Sequence, residues 1–277
     1  MSLQGPFRSR IVALVLLGLG VLVAGACSKK DPTLHFETHD FAKGLDGCKP
    51  QTEACTYLKF QYPLFSQGSK QVAQDLNQKI QAFLLASTGQ KKSPSKDLEN
   101  FANDFFSEYQ KAKKDYPQIP GAWFLERTVK VDLDAPDVLA EQTTDSEFTG
   151  GAHPNSETEF INYKPNDGSR IVLADLFVPD YLPKLTAIAE KNFREKQQIP
   201  EGQNLQEAGY FFENGVFKLN QNFSIGTRDL TFLFNPYEAG PYAMGPIQFS
   251  IPYDQLKDIL KPDGIIAGVQ KNPGKKG

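Results

Sequence analysis

The chain has 277 residues, 40% hydrophobic and 12% aromatic, with 21 Phe against 2 Met and 1 Trp, enough apolar material for one large or two small cores. Its formal charge is −3 and no basic patch stands out, which removes nucleic acid from the expected partners. Only three cysteines are present, without the second Cys pair or nearby paired histidines of a structural zinc site, so neither a metal nor another cofactor is expected.

Residues 1–26 read as a targeting segment. Arg8 and Arg10 form a basic start, and residues 11–26 are an unbroken apolar and glycine run, too short for a comfortable membrane span. Ala24-Gly25-Ala26-Cys27 has the shape of a lipobox, although leucine is the more usual residue where Ala24 stands. Cleavage before Cys27 would leave a lipidated cysteine as the membrane anchor and residues 27–33 as a tether; a plain secretory signal or an uncleaved anchor is the alternative. Ser28 after that cysteine points to the periplasmic face of the outer membrane if the host is didermic. Loss of residues 1–26 removes two arginines and no acid, leaving 28 basic against 33 acidic residues, a balance of −5. In an oxidising exported compartment Cys48 and Cys55 most simply pair as a disulfide.

Residues 34–41 alternate and place His35, Glu37 and His39 on one strand face. That triplet lacks the helical zinc-protease spacing, so a solvent-facing strand edge is the default reading. Residues 55–62 are strand-like and stop at Pro63. Residues 66–86 are the clearest helix, with Val72, Leu76, Ile80, Phe83 and Leu84 at steps of three and four. A second helix runs to about residue 114 with Leu98, Phe101, Phe105 and Tyr109 along it, an aromatic stripe that belongs to a core.

Residues 122–133 and 138–148 are strand-length runs joined by a turn at 134–137. They lead into the loop Thr149-Gly150-Gly151-Ala152-His153-Pro154-Asn155. Beyond it, residues 157–163 and 169–173 predict a hairpin around Lys164-Pro165-Asn166-Asp167-Gly168, followed by a short helical start at Ala174-Asp175-Leu176-Phe177. A third helix covers 179–198. Strands are expected at 222–225, 229–234 and 247–251, with a turn-rich loop from Asn235 to Pro246 and a closing helix at 252–260. Gly, Lys and Pro dominate the end, so residues 263–277 are expected as a flexible tail. Hairpin-joined runs without regular strand–helix alternation predict an α+β fold, antiparallel sheets packed on helices, in two closely joined subdomains at 34–155 and 156–262.

Several stretches carry a resemblance. They are residues 55–63 with the long helix behind them, the 148–155 loop, the 162–177 hairpin, Phe234-Asn235-Pro236-Tyr237-Glu238, Gly240-Pro241-Tyr242-Ala243 and Ile251-Pro252-Tyr253. The chain resembles the paired extracytoplasmic domains of unknown function of the RsiV family of lysozyme-sensing anti-sigma factors, and its first half is similar to the N-terminal domain of PdaC-type deacetylases. The resemblance implies a module that binds a protein, lysozyme-like, or a peptidoglycan component and does no chemistry itself. Sigma-factor control is not carried over, because only residues 1–10 precede the apolar run, nor is deacetylation, because no deacetylase domain follows.

The expected recognition residues are Gly150, Gly151, His153 and Asn155 on one loop and Asn235, Tyr237, Glu238 and Tyr242 on the other. Tyrosine gives rigid amphipathic contact area, and glycine lets backbone amides approach a partner. The competing reading is that these loops only turn the chain, with His153 and Asn235 capping backbone groups. An envelope-assembly lipoprotein without a ligand is a further alternative. Enzyme readings, with His153 as a general base or Asp175 and Glu238 as a carboxylate pair acting on a glycan, lack a nucleophile motif or a defined geometry.

Overall fold

The structure, a computed structural model, describes residues 1–2, 34–52, 55–66, 69–87, 95–118 and 121–276. Cys27, the signal segment from residue 3 onward and the tether therefore lie outside the described residues. The described residues from Leu34 onward form one compact unit.

A six-stranded sheet carries the first half in the order β1 (Phe36–Gly44), β2 (Tyr57–Phe65), β3 (Phe124–Ala135), β4 (Val138–Phe148) and β5 (Asn155–Tyr163), with β9 (Lys275–Lys276) added on β3. β1 and β2 form a hairpin whose loop is closed by the Cys48–Cys55 disulfide, Cα–Cα 5.6 Å. The expected antiparallel arrangement fails at one place: β2 and β3 run parallel. The two helices between them, α1 (Lys70–Leu84) and α2 (Leu98–Asp115), form the crossover that a parallel pair requires. Asp97 caps α2 by accepting from the Asn100 N–H at 2.8 Å.

Alternation sorts the strands between two cores. Leu125, Val129, Val131 and Leu139 face α1 and α2, joining Val72, Leu76, Ile80, Phe101 and Phe105 in the first core. Val138 and Ala140 face the other way, into a second core. That core packs α4 (Leu182–Gln197) on a three-stranded antiparallel sheet, β6 (Phe223–Ile225), β7 (Asp229–Phe234) and β8 (Ile247–Pro252). Phe193 sits at its centre, edge-on to Tyr210, Phe212, Phe234 and Phe249 at 5.2–6.0 Å between ring centroids. The short helices α3 (Leu173–Leu176) and α5 (Tyr253–Leu256) complete it.

Two expectations are corrected. Residues 169–173 do not form a strand; one bridge, Tyr163 to Arg170, is all that follows the turn, because the chain leaves at once for α3. The tail is not free either. Residues 265–271 form α6 (Ile265–Lys271), which buries Ile266 and Val269, and β9 returns antiparallel to β3. Two apolar residues one turn apart are enough to dock a helix that composition alone reads as disordered. The subdomain boundary at 155/156 falls within β5, a strand of the first sheet.

Candidate recognition surface

The two sheets meet along the outer edge of β5, and asparagine side chains replace a backbone ladder there. Asn235 Oδ1 accepts from the Thr158 N–H at 2.8 Å and its Nδ2 donates to the Thr158 carbonyl at 3.0 Å. Asn222 does the same one step along, accepting from the Phe160 N–H at 2.7 Å and donating to the Thr158 carbonyl at 2.8 Å. Asn162, 1% exposed, reaches the opposite way, donating to the Phe223 carbonyl and accepting from the Ile225 N–H on β6. An amide carries the same donor and acceptor as a peptide group, so three side chains close an edge that would otherwise be left open. Asn162 and Asn222 were not among the expected functional residues. The available signal was an amide inside an apolar run, as in Ile161-Asn162-Tyr163.

This seam brings the two expected loops together. The loop after β4 turns through Gly150 at φ 104° and Gly151 at φ 115°, values that favour glycine; a Cβ on Gly151 would meet nothing, so conformation rather than crowding requires it. It delivers the His153 ring onto the Tyr242 ring, stacked with centroids 3.8 Å apart. His153 Nδ1 lies 2.8 Å from the Pro154 carbonyl, which can only accept, so Nδ1 carries the hydrogen and Nε2 of the neutral ring accepts from the Tyr237 hydroxyl at 3.3 Å. The Tyr242 hydroxyl donates to the same Pro154 carbonyl at 2.7 Å.

Tyr237 stands at φ 72° in the turn Asn235-Pro236-Tyr237-Glu238, closed by the Glu238 N–H donating to the Asn235 carbonyl at 3.0 Å. This third position with positive φ normally takes glycine or asparagine, and a bulky ring there stores backbone strain. The residue is nonetheless 56% exposed, so burial does not account for the choice of side chain. Two further exposed apolar side chains are tied to the residues that follow this turn. Phe211 follows from a backbone bond to Ala239, and Met244 lies over Gly240 so closely that a Cβ there would meet its sulfur.

The other expected residues divide differently. Asn155 opens β5 opposite Glu147 and is exposed. Asn235 is occupied by the seam, and Glu238 braces it, accepting from the Asn235 N–H at 2.8 Å and from Asn220 at 3.3 Å. These two support the surface rather than form it. Asp175 accepts from the Val172 N–H and lines a cleft with Lys164 and Lys261, while Glu238 serves the seam, so the two carboxylates occupy different surroundings. At the other sheet edge, His39 stacks on Tyr62 with centroids 6.0 Å apart.

Comparison with known proteins follows this two-part layout. Residues 50–156 match the family model "Deacetylase PdaC", and residues 174–254 match "Protein of unknown function (DUF3298)". The chain is 26% identical over 179 residues to the peptidoglycan-N-acetylmuramic acid deacetylase PdaC of Bacillus subtilis, a match covering 63% of this chain and 38% of that protein's length. Crystal structures share the fold: a DUF3298-family protein from Bacteroides fragilis (TM-score 0.69, 21% identity, 88% of this chain and 100% of that one) and another from Pseudomonas aeruginosa (TM-score 0.60, 20% identity, 84% and 96%). These matches agree with the resemblance read from the sequence and point to a cell-envelope domain of unknown function.

Proposed function

We propose that this chain, built of a PdaC-type segment followed by a DUF3298 segment, is a lipid-anchored, non-catalytic binding module of the cell envelope. Its His153–Tyr237–Tyr242 rim recognises a folded protein of lysozyme type. The observation that carries the reading is Tyr237, an exposed ring held at a backbone angle that opposes it. Strain of this kind collects at functional positions, and aromatic and methionine side chains are enriched where proteins meet. The seam fixes the rim from below, so the rings are preorganised and lose little freedom on binding. The lipobox at Cys27 supports membrane anchoring. Occupation of Asn235 and Glu238 in the seam, and the separate surroundings of Asp175, support binding over catalysis.

Calorimetric titration of the full chain with c-type lysozyme tests this. Saturable binding is expected, and Tyr237→Gly should abolish it while leaving the melting temperature unchanged or raised, because glycine relieves the strained φ. A Tyr237→Gly protein that binds as before, or a parent chain that gives no saturable heat, removes the rim reading.

A further inference from the structure

A second surface lies on the first sheet. Towards the β3–β4 turn, the face turned away from α1 and α2 is covered by the second core. Nearer the rim the same face is open. Its residues follow the period of two: Phe124, Glu126 and Thr128 on β3, Gln142, Thr144 and Ser146 on β4, all half-exposed. Ser156 and Thr158 continue it on β5. The run from Phe148 to Gln142 spans about 20 Å at strand rise.

The chemistry of this floor is graded. At one end the half-exposed rings of Phe124 on β3 and Phe148 on β4 stack at 6.3 Å, backed by the buried Tyr57 of β2, stacked on Phe124 at 5.8 Å. Next come hydroxyl pairs, Ser146 with Ser156 at 2.8 Å and Thr144 with Thr158 at 3.1 Å. The far end is a cleft of about 260 Å³ where the second sheet rises as a wall. It is lined by Gln142 and Asp132 from the floor and Thr231 and Gln248 from the wall. The charged groups on the floor already have partners: Lys130 pairs with Asp132 at 2.9 Å, and Glu126 accepts from the Tyr57 hydroxyl at 2.7 Å and from Gln51 at 3.2 Å.

We infer that this floor is a binding groove for an extended, uncharged glycan carrying hydroxyl and amide groups. Sugar rings present apolar C–H faces and polar edges, which suits flat aromatic rings followed by hydroxyls and amides. The hydroxyl pairs bond to each other across the strands, with Thr144 also accepting from the Gln142 amide at 3.5 Å, and a ligand can exchange those bonds at little net cost. Other occupants fit worse. A peptide strand needs a free backbone edge, and the floor strands β3 and β4 are paired on both sides. A helix needs an apolar groove, and an anionic polymer needs unpaired cations. The groove uses none of the three rim rings, although its Thr158 is held by Asn235 of the rim turn, so a Tyr237 variant separates the two readings.

The test uses the full chain and the neutral hexamer of N-acetylglucosamine, followed by calorimetry. The unmodified chain should bind the hexamer saturably. The double variant Thr144→Val with Gln142→Glu should bind roughly thirtyfold more weakly, since it removes two hydrogen-bonding groups of about 1 kcal/mol each. Circular dichroism should show its fold retained, because valine suits a strand and glutamate keeps the length of glutamine. Tyr237→Gly should bind the hexamer as the parent does. No saturable binding by the parent, unchanged binding by the double variant, or loss of hexamer binding in Tyr237→Gly would each overturn the inference.

Discussion

Glu141 is a carboxylic acid with 2% of its surface exposed, pointing into the first core from the middle of β4, and its Oε1 has no hydrogen-bond partner among the described residues. Burial pushes its pKa up to about 8 against the ordinary 4.5, a rise that the charge of Lys79 only partly offsets. Lys79 itself donates to the Gly168 carbonyl at 2.8 Å and lies over the Tyr163 ring at 4.5 Å. The fold thus holds the Glu141 proton more tightly than the unfolded chain does. Its contribution to stability is complete below about 4.5 and is lost as pH rises through about 8. Glu141→Gln should flatten this dependence and make the protein more stable than the parent above pH 8, as urea midpoints across pH would show; parallel pH profiles would refute the assignment. Arg127 is a second buried charge, better supplied with partners although its Nε, like Glu141 Oε1, has none among the described residues. It donates to the Leu84 and Ala86 carbonyls at the end of α1 and to Asp145 at 3.1 Å, and lies over the rings of Phe60, Phe83 and Phe101. Neither residue was legible as buried from the sequence, because alternation predicts which face a residue takes but not what covers that face.

Among the elements, the seam along β5 governs the site. Asn222→Ala would leave the Phe160 N–H without its acceptor and remove one of the two donors to the Thr158 carbonyl, costing about 1–3 kcal/mol. A denaturant titration measures that loss. Because the rim rests on the same strand, lysozyme binding should weaken alongside it. A variant with full stability would mean that water or a shifted backbone replaces the amide. Periodicity made α1, α2, β3 and β4 readable nearly to their ends, since each has one buried and one open face. It could not reveal the crossover that makes β2 and β3 parallel, because strand direction depends on how helices pack. It also could not separate Asn235 from Tyr237, two neighbours in one turn of which the first joins sheets and the second faces solvent.

At the scale of the whole molecule, β3 and β4 line both cores, so neither core can melt without exposing the other's wall. One cooperative transition is the expected outcome. The single tryptophan reports on this from the first core, where Trp123 packs against Phe105 and Tyr109 at 6.0 and 5.5 Å. Phe232→Ala, a cavity in the second core, should therefore shift the Trp123 fluorescence transition by as much as the far-ultraviolet transition, with about 3–5 kcal/mol lost. Separated transitions would show that the cores unfold independently. The asparagine seam also bears on how long the assembled molecule lasts. Hydrolysis of any one of the three amides would turn a donor into a carboxylate oxygen facing a carbonyl, and the joint between sheets would become repulsive. Such hydrolysis proceeds through attack by the nitrogen of the following residue. Here those residues are Tyr163, Phe223 and Pro236, two bulky side chains and one nitrogen without a hydrogen, and no glycine follows any of the three. The joint is thus made from a residue prone to chemical ageing, placed in sequence contexts that slow the clock.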